Sequence, residues 1–374
     1  MSTPFARAVE DVRQGAHVRA RNPFCDPLPP MRIGIIGAGR MGAWHARTLA
    51  ALDGGHTLLI HDAQREVAER LAKAVDGSAR SSVEGVLEAV DAVVLTTPAA
   101  VRDAAFPRAV EAGLPVFCEK PLAHTARAAR ELAQVAAAAG NSRVQVGFQR
   151  RCDPEYVAVR ERIVRGDLGR LLMIRCTAFD HEPPPSGYEN SSGDIFADCL
   201  IHDIDAVHWL TGQRTVAVQA DEARVGEDAP GSGVAVATAI LTLADGTRAV
   251  LTASRLNPHG YDHRAELLGT LDSLAIGLGE RTPLRSPLTS ASGTADRPAY
   301  TDFTDRFARA YEEEMRAFLR MAGGQEPSVC TPEEAVLAQE VADAAAASAD
   351  TGALVALPGP PAAAMAGALA HGGA

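Results

Sequence analysis

The sequence lacks an excess of positive charge and lacks long apolar runs. Its 36 Lys and Arg residues are outnumbered by 47 Asp and Glu residues, which gives a formal net charge of −11. Because nucleic-acid phosphates require clustered basic side chains, this balance argues against a nucleic-acid partner. No apolar run approaches the ~20 residues of a membrane-spanning helix, so we expect no membrane partner either.

Paired cysteines of the CxxC type are also missing. Cysteines scattered singly along the chain argue against a structural zinc site and favour a reducing compartment. The N-terminus lacks the apolar segment of a secretory signal, so we expect a cytoplasmic location. The remaining composition, 47% hydrophobic and 22% charged over 374 residues, is typical of a globular protein with room for two domains. The six cysteines are Cys25, Cys118, Cys152, Cys176, Cys199 and Cys330.

What the sequence does contain is a glycine-rich turn between a predicted strand, 32–36, and a predicted helix. In dinucleotide-binding proteins the first glycine of this spacing allows the tight turn, and the second lets the backbone approach a pyrophosphate. The third lets the helix pack closely on the strand, and the helix N-terminus offers free N–H groups to the phosphates. The predicted cofactor-binding residues of the turn are Gly37, Ala38, Gly39, Arg40, Met41 and Gly42.

An acidic residue follows the second predicted strand. Asp62 comes directly after 57–61, about 20 residues beyond the glycines, where a carboxylate can accept hydrogen bonds from the adenosine ribose. The same charge would repel a 2′-phosphate, so we predict NAD as the cofactor. Arg65 keeps NADP as a less favoured alternative. A simple strand-end cap is the structural alternative for Asp62.

The pattern of secondary structure changes near residue 150. Up to residue 149, buried-type strands alternate with helices, one of them over 99–112, which predicts a doubly wound parallel sheet. Beyond it, a capping box over Thr331–Glu334 predicts the start of a helix. Long strands follow one another at about 214–221, 233–243, 247–256, 263–269 and 273–278, which predicts an α+β domain with a large open, mainly antiparallel sheet. The exposed face of that sheet needs a cover, so we expect a homo-oligomer, a dimer or tetramer formed through it.

This change predicts a division of the chain into four parts. The first, 1–30, is a loose extension, and Met31 is a possible native start. A Rossmann domain that binds NAD follows over 31–149, and a domain for substrate binding and oligomerisation over 150–358. The remaining 359–374, rich in Ala, Gly and Pro, is predicted to be disordered.

Three ionisable residues stand out as candidates for chemistry. Lys120, in Glu119-Lys120-Pro121, follows the carboxyl end of a predicted strand, where open α/β sheets bind ligands. Asp198 and His202 are four residues apart on a predicted helix, so the carboxylate can orient the imidazole and increase its basicity. A solvated lysine and a surface ion pair are the structural alternatives. A metal site that adds His181 is a further alternative, but hydride transfer needs no metal and we predict none.

At these residues the chain resembles the Gfo/Idh/MocA oxidoreductase family, and within it the myo-inositol 2-dehydrogenase branch. The resemblance extends from Met31 to about Pro358. Each matching stretch is short, but their number and order are specific. The stretches are Ile33–Gly42, Glu119–Pro121, Val146–Arg151, Asp198–Asp205, Gly260–Glu266 and Arg306–Tyr311.

The resemblance implies an NAD-dependent enzyme that oxidises a secondary hydroxyl of a cyclitol, sugar or related polyol. His202 would accept the hydroxyl proton, Asp198 would orient His202, and Lys120 would bind both the reacting hydroxyl and the nicotinamide-side ribose. Oxidation of an alcohol requires such a base together with a cation near the developing alkoxide. The resemblance also implies contacts with the cofactor by Thr97, Pro98, Glu119 and Lys120, and with polyol hydroxyls by Arg150 and Tyr261.

Two departures from the family pattern concern the substrate side. Phe179-Asp180-His181-Glu182-Pro183 replaces a His-Arg-Asn-Pro stretch, and Arg102 replaces a common histidine. Two other functions stay open on the same fold: an NAD-dependent glycosidase with no net reduction of the cofactor, and a non-catalytic nucleotide-binding sensor. A sensor would have no need of Lys120, Asp198 or His202.

Overall fold

The structure is a computed structural model that describes residues 30–185, 193–225, 234–284 and 298–358. The described chain forms two sheets with helices packed on them. The N-terminal extension up to residue 29 and the tail over 359–374 lie outside the described residues. No helix in the described ranges is both long enough and apolar enough to cross a bilayer.

The first sheet has six parallel strands in the order β3-β2-β1-β4-β5-β6. Its central strands are apolar along their length and bury both faces, as helix-covered parallel strands do. This confirms the predicted doubly wound architecture. The strands are β1 Arg32–Ile36, β2 Thr57–His61, β3 Ser78–Ala79, β4 Ala92–Leu95, β5 Val116–Glu119 and β6 Val144–Gly147. The helices are Arg40–Ala51, Arg65–Ala74, Val83–Leu87, Phe106–Glu111 and Ala126–Ala138, with 3₁₀ turns at Ala99–Ala104 and Gln149–Cys152.

The second sheet has seven strands in the order β12-β11-β7-β10-β9-β8-β13. Its pairs are antiparallel except for β7 with β10, so the predicted mainly antiparallel sheet is confirmed. The strands are β7 Leu171–Phe179, β8 Thr215–Val225, β9 Val234–Leu243, β10 Arg248–Ser254, β11 Asp262–Gly269, β12 Ser273–Ile276 and β13 Val355–Ala356. The helices are Pro154–Val164, Ile201–Thr211, Phe303–Arg306, Ala308–Ala322 and Pro332–Thr351, with a π turn at Phe196–Leu200.

One face of the second sheet is packed and the other is open. Along β9 the alanines at 235, 237 and 239 are buried, whereas Thr238 between two of them and Ile240 after the last are exposed. This strict alternation is typical of a sheet with a core on one side. The helices Ile201–Thr211 and Pro332–Thr351 cover the buried face through the large apolar cluster that they share with the sheet.

A helix from the second half of the chain packs on the first sheet. In Ala308–Ala322, Met315, Phe318 and Leu319 are fully buried and share one apolar cluster with the side chains of β1 and β2. Their spacing of three and four residues places them on one face of the helix. The backbone N–H of Val146 in β6 also donates to the Cys330 carbonyl at 2.9 Å. These contacts fix the two sheets relative to one another.

Two helical segments differ from the sequence expectation. The predicted helix 99–112 is a 3₁₀ turn followed by a short α-helix, because Pro107 lacks an N–H and is accommodated only in the first turn of a new helix. The helix predicted from Asp198 begins in the π turn Phe196–Leu200 and continues as the α-helix Ile201–Thr211.

Candidate active site

The glycine turn has the close contacts that its spacing requires. Gly37 has a φ of +100°, and a Cβ there would lie 2.8 Å from the backbone nitrogen of Thr97. A Cβ on Gly42 would lie 1.9 Å from the Gly37 carbonyl oxygen, so this position can only be glycine if the helix is to pack on β1. A Cβ on Gly39 would meet no atom within 4 Å. The space beside Gly39 therefore has room for a phosphate group at the N-terminus of the helix Arg40–Ala51.

Asp62 lies against the same turn. Its Oδ2 accepts a hydrogen bond from the Ala38 N–H at 2.8 Å, and its Oδ1 accepts one from the Gln64 N–H at 2.9 Å. The carboxylate is thus held next to the predicted phosphate site, at the carboxyl end of β2. Arg65, which kept the NADP alternative, forms an ion pair with Glu69 at 2.7 Å on its own helix.

The loops after β4 and β5 are joined by the guanidinium of Arg102, which is only 3% exposed. It donates to the carbonyl oxygens of Thr97, at 2.9 Å from Nη2, and of Glu119 and Pro121. The peptide bond between Lys120 and Pro121 is cis. Arg102 therefore links Thr97, a predicted cofactor contact, to the loop that carries Lys120. Pro98, the other predicted cofactor contact after β4, is exposed.

Lys120 and Asp198 meet across the two sheets. The Lys120 ammonium donates to the Asp198 backbone carbonyl at 2.9 Å and to Oδ1 of its carboxylate at 3.1 Å. The second carboxylate oxygen accepts from Nη2 of Arg255 at 2.8 Å. Burial alone would raise the pKa of the Asp198 carboxyl, but the two cations outweigh it and hold that pKa below its ordinary value.

The imidazole of His202 is partly buried and close enough to Lys120 and Arg150 to be affected by their charges. Its ring contacts Phe148 edge-on, with 6.0 Å between the ring centres, and its buried Nδ1 has no hydrogen-bond partner. Burial, followed by the charges of Lys120 and Arg150, lowers the pKa of His202 well below its ordinary value. At neutral pH the ring is therefore uncharged, which is the form that can accept a proton.

The predicted relation between Asp198 and His202 is wrong in one respect. Both carboxylate oxygens of Asp198 are directed at Lys120 and Arg255, so the carboxylate does not orient the imidazole or increase its basicity. The His202 pKa is lowered, where an adjacent carboxylate would have raised it. The physical reason is competition: two cations bind a carboxylate more strongly than a neutral ring does.

Arg150 is buried rather than directed at a substrate. It is 2% exposed and forms an ion pair with the buried Asp203. It also contacts Nδ1 of His263 at 2.8 Å and the Tyr156 hydroxyl at 3.4 Å. Direct contact with a polyol, as the resemblance implied, does not fit this burial. Asp203 needs a buried cation, since an unpaired carboxylate in the interior would cost several kcal/mol.

Tyr261, the other residue that the resemblance placed at the substrate, is 7% exposed. Its ring stacks on the imidazole of His263, with 4.0 Å between the ring centres and 10° between the planes. Nε2 of His263 has no hydrogen-bond partner and lies 3.9 Å from Oδ1 of Asp180. Tyr261 and His263 are therefore packed together in the interior, next to Asp180.

The metal alternative raised from the sequence does not assemble. Nδ1 of His181 contacts the Asn257 carbonyl oxygen at 3.2 Å, and Asp198 is bound by its two cations. In the described part of the chain a different trio brings potential ligand atoms within 4.8 Å of one another: His45, Glu119 and Glu314. Nε2 of His45 and Oε1 of Glu119 are 2.6 Å apart, which is a hydrogen bond.

The sequence did not single out Arg255, and it singled out Asp180 and His263 only as members of longer stretches. Arg255, Asp180 and His263 lie in different strands or loops and meet only when β7, β10 and β11 are adjacent. The change from the His-Arg-Asn-Pro stretch pointed to the region of Asp180, but not to its partners. Glu314 is one of three consecutive glutamates on an amphipathic helix, and nothing in the local sequence distinguishes it from its partly exposed neighbours Glu312 and Glu313.

Comparison with known proteins identifies both halves of this arrangement. Residues 31–148 match the model of an oxidoreductase family with an NAD-binding Rossmann fold, and residues 156–275 match a GFO/IDH/MocA C-terminal domain. The myo-inositol dehydrogenase Hyg17 of Streptomyces leeuwenhoekii is 39% identical over 298 residues, which cover 79% of this chain and 89% of that protein.

Solved structures agree in fold over nearly their whole length. A myo-inositol dehydrogenase from Corynebacterium glutamicum superposes with a TM-score of 0.78 at 31% identity, covering 88% of this chain and 100% of that one. A myo-inositol dehydrogenase from Lactobacillus casei, in complex with NAD(H) and myo-inositol, superposes with a TM-score of 0.78 at 25% identity, covering 89% and 99%. The predicted enzyme class and NAD cofactor are confirmed, and the chain belongs to the Gfo/Idh/MocA family of NAD-binding oxidoreductases.

Proposed function

We propose that this protein is an NAD-dependent dehydrogenase that oxidises a secondary hydroxyl of a cyclitol, with His202 as the general base. The observation that carries the proposal is the Lys120–Asp198 contact, 2.9 Å and 3.1 Å, together with an imidazole four residues further on whose pKa is lowered by burial and by the Lys120 charge. A cation and a proton acceptor are the two groups that alcohol oxidation needs from a protein. Relatives named as inositol dehydrogenases support a cyclitol as the substrate class.

The chemistry follows from the charges in the site. NAD supplies the hydride acceptor, so the carbon that bears the hydroxyl is oxidised to a carbonyl as the nicotinamide is reduced. The hydroxyl proton passes to a ring nitrogen of His202, whose lowered pKa keeps it uncharged before the reaction. The Lys120 ammonium, held by Asp198, stabilises the oxygen as negative charge develops on it. The ring of Phe148 packs edge-on against the imidazole.

The direct test is turnover. NAD and a panel of cyclitols and sugars are supplied to the full chain, and formation of reduced nicotinamide is followed by its absorbance. We expect turnover with at least one cyclitol, and we expect His202→Ala to lower kcat by about 10²- to 10⁴-fold. His56→Ala, in the turn before β2, is the control and is expected to leave turnover unchanged. No reduction with any member of the panel would refute the proposal, and cleavage of nitrophenyl glycosides without net reduction would favour a glycosidase.

The pH profile supplies a second test. Catalysis needs uncharged His202, and protonation of a group with a lowered pKa requires a more acidic solution. The acidic limb of kcat/KM, which reports the free enzyme, is therefore expected well below pH ~6.5, the ordinary pKa of histidine. An acidic limb above that value, observed with stable enzyme, would remove His202 from the role of base.

A further inference from the structure

Arg255 is a buried cation placed between two carboxylates. It follows β10 directly, and its backbone N–H donates to the Ala235 carbonyl at 3.0 Å, which continues the pairing with β9. Its side chain is 6% exposed. Nη2 donates to Oδ2 of Asp198 at 2.8 Å, and Nη1 donates to Oδ2 of Asp180 at 3.1 Å. The guanidinium therefore joins a carboxylate after β7 to a carboxylate in the π turn.

With Lys120, these residues form a chain of four alternating charges, Lys120, Asp198, Arg255 and Asp180. The two cations occupy different oxygens of Asp198. A carboxylate bound at one oxygen can still rotate about its χ angles, whereas one bound at both oxygens from opposite sides is fixed. Because the Asp198 carboxylate contacts Lys120 with the oxygen that Arg255 leaves free, the orientation imposed by Arg255 acts on the ammonium together with the Asp198 backbone carbonyl, which accepts from it at 2.9 Å.

Arg255 also balances the charges of these four residues. Two carboxylates and two ammonium or guanidinium groups sum to zero. Removal of Arg255 would leave two buried or half-buried carboxylates with one cation between them, and Asp198 would then turn to share Lys120 more closely. In the interior such an unbalanced charge rearranges its surroundings, because it is poorly solvated.

We propose that Arg255 is a positioning residue, which fixes the Asp198 carboxylate and through it the Lys120 ammonium at the reacting oxygen. Its catalytic consequence rests on the proposed dehydrogenase function, whereas the geometric claim stands without it. Arg255 acts through Asp198 and is not itself placed at the reacting atoms. Lysine carries the positive charge but lacks the planar guanidinium that contacts two carboxylates at once. A lysine at position 255 should therefore position Asp198 less well than arginine but better than an uncharged residue.

Kinetics test the catalytic consequence. We expect Arg255→Gln to lower kcat by about 10- to 100-fold, the scale of a misplaced catalytic group, with NADH affinity changed less than about twofold. Arg255→Lys should recover at least part of that loss of kcat. Asp180→Asn leaves the contact between Arg255 and Asp198 in place, so its kcat should fall less than that of Arg255→Gln. Arg165→Gln removes one positive charge from an exposed turn and serves as the control. Equal losses of kcat and of NADH affinity, with no recovery by lysine, would mean a general structural role and overturn the proposal.

Crystal structures of the wild type and Arg255→Gln test the geometry without turnover. The expected result is a rotated Asp198 carboxylate and a Lys120 Nζ displaced from Oδ1, with the two sheets otherwise unchanged. If both side chains stay where they are in the wild type, Arg255 does not position them and the proposal fails. A wild type that oxidises no polyol would refute the dehydrogenase function alone, and Arg255 would then be judged on this structural comparison.

Discussion

Glu314 is a carboxyl group in the interior with no partner for either oxygen. It is 1% exposed, and the two carboxylate oxygens are buried without hydrogen bonds. Burial, and then the negative charges of Glu119 and Asp205, raises the pKa of Glu314 well above its ordinary value. The folded protein therefore holds a proton on Glu314 at pH values where the unfolded chain has released it.

This proton predicts a pH-dependent stability. Because the folded-state pKa is raised, the stability that Glu314 contributes is present in full below its unfolded pKa, about 4.3, and is lost as pH rises toward the folded value. As pH rises from the unfolded to the folded pKa, we expect the free energy of unfolding of Glu314→Gln to increase relative to the wild type by up to ~1.4 kcal/mol per pH unit. Chemical denaturation at pH 5 and pH ~7.5 measures the difference.

The matched control lies on the same helix. Glu312, 46% exposed and paired with Arg316 at 2.7 Å, has the same side chain in contact with solvent. Glu312→Gln is expected to change the free energy of unfolding by about 0.5 kcal/mol or less at both pH values. If Glu314→Gln shows the same pH dependence as the wild type, Glu314 is ionised in the folded protein and this assignment of its proton is wrong.

At the scale of single residues, sequence reasoning found the groups that stand next to recognisable patterns. Lys120 follows a strand end and Asp198 and His202 share a helical segment, and the structure brings all three together. The partner of Asp198 was assigned wrongly, because Arg255, the residue after β10, reaches it from 57 residues away in the chain. Contacts between distant positions depend on sheet order, which local periodicity does not encode.

At the scale of elements, two glycines of the glycine turn have different roles: Gly42 is required for packing and Gly39 leaves space for a ligand. A methyl group at Gly39 has no neighbour within 4 Å in the protein, and φ there is −69°, which alanine adopts without strain. A methyl group at Gly42 would lie 1.9 Å from the Gly37 carbonyl oxygen. The first substitution therefore changes only the space offered to a ligand, whereas the second forces the helix Arg40–Ala51 away from β1.

We predict opposite phenotypes for these two alanine variants. Gly39→Ala should keep the melting temperature within a few degrees of the wild type, equivalent to ~1 kcal/mol, and lose at least tenfold in NADH affinity, because its methyl group occupies the approach to the pyrophosphate. Gly42→Ala should lose about 1–3 kcal/mol of stability through overpacking. Thermal melting and NADH fluorescence titration measure both quantities. Wild-type affinity in Gly39→Ala would show that the phosphates do not lie beside Gly39.

Elements with strong periodicity were predicted well, and those set by tertiary contacts were not. The strands near 233–243 and 263–269 are observed at Val234–Leu243 and Asp262–Gly269. The capping box at Thr331 is present, with its side chain bound to the Glu334 N–H. By contrast, the two-residue strand β13 has no pattern of its own and exists because it pairs with β8, and the π turn at Phe196–Leu200 looks like an ordinary helix in sequence.

At the scale of the whole molecule, the site exists only because two sheets are fixed together. Lys120 belongs to the first sheet, and Asp198 and Arg255 belong to elements packed on the second. The helix Ala308–Ala322 crosses between them, with Met315 and Phe318 in the apolar cluster of the first sheet. The sequence predicted both sheets but not this crossing, since the apolar stripe of a helix does not say which surface it covers.

The open face of the second sheet carries exposed apolar side chains in register. Leu268 of β11 is paired with Met173 of β7, and Val250 of β10 is paired with Ile240 of β9, so all four lie on the same face. Leu268, Met173 and Ile240 are 47%, 37% and 44% exposed. Arg175 and Arg248 lie between these side chains on the same face. A second copy with the same mixed face is the simplest complement under twofold symmetry.

Introducing one charged side chain on the open face tests the predicted homo-oligomer. We expect the wild type to elute as a dimer or larger assembly, and Ile240→Lys to shift it toward monomer, since a lysine at the centre of the face would be desolvated on association. Light scattering after size exclusion gives the mass, and an unchanged circular dichroism spectrum shows retained folding. Val101→Lys is the control, because Val101 is 55% exposed and lies beside the first sheet. A wild type that stays monomeric at high concentration would show that the open face has another use, and an oligomer unaffected by Ile240→Lys would place the interface elsewhere.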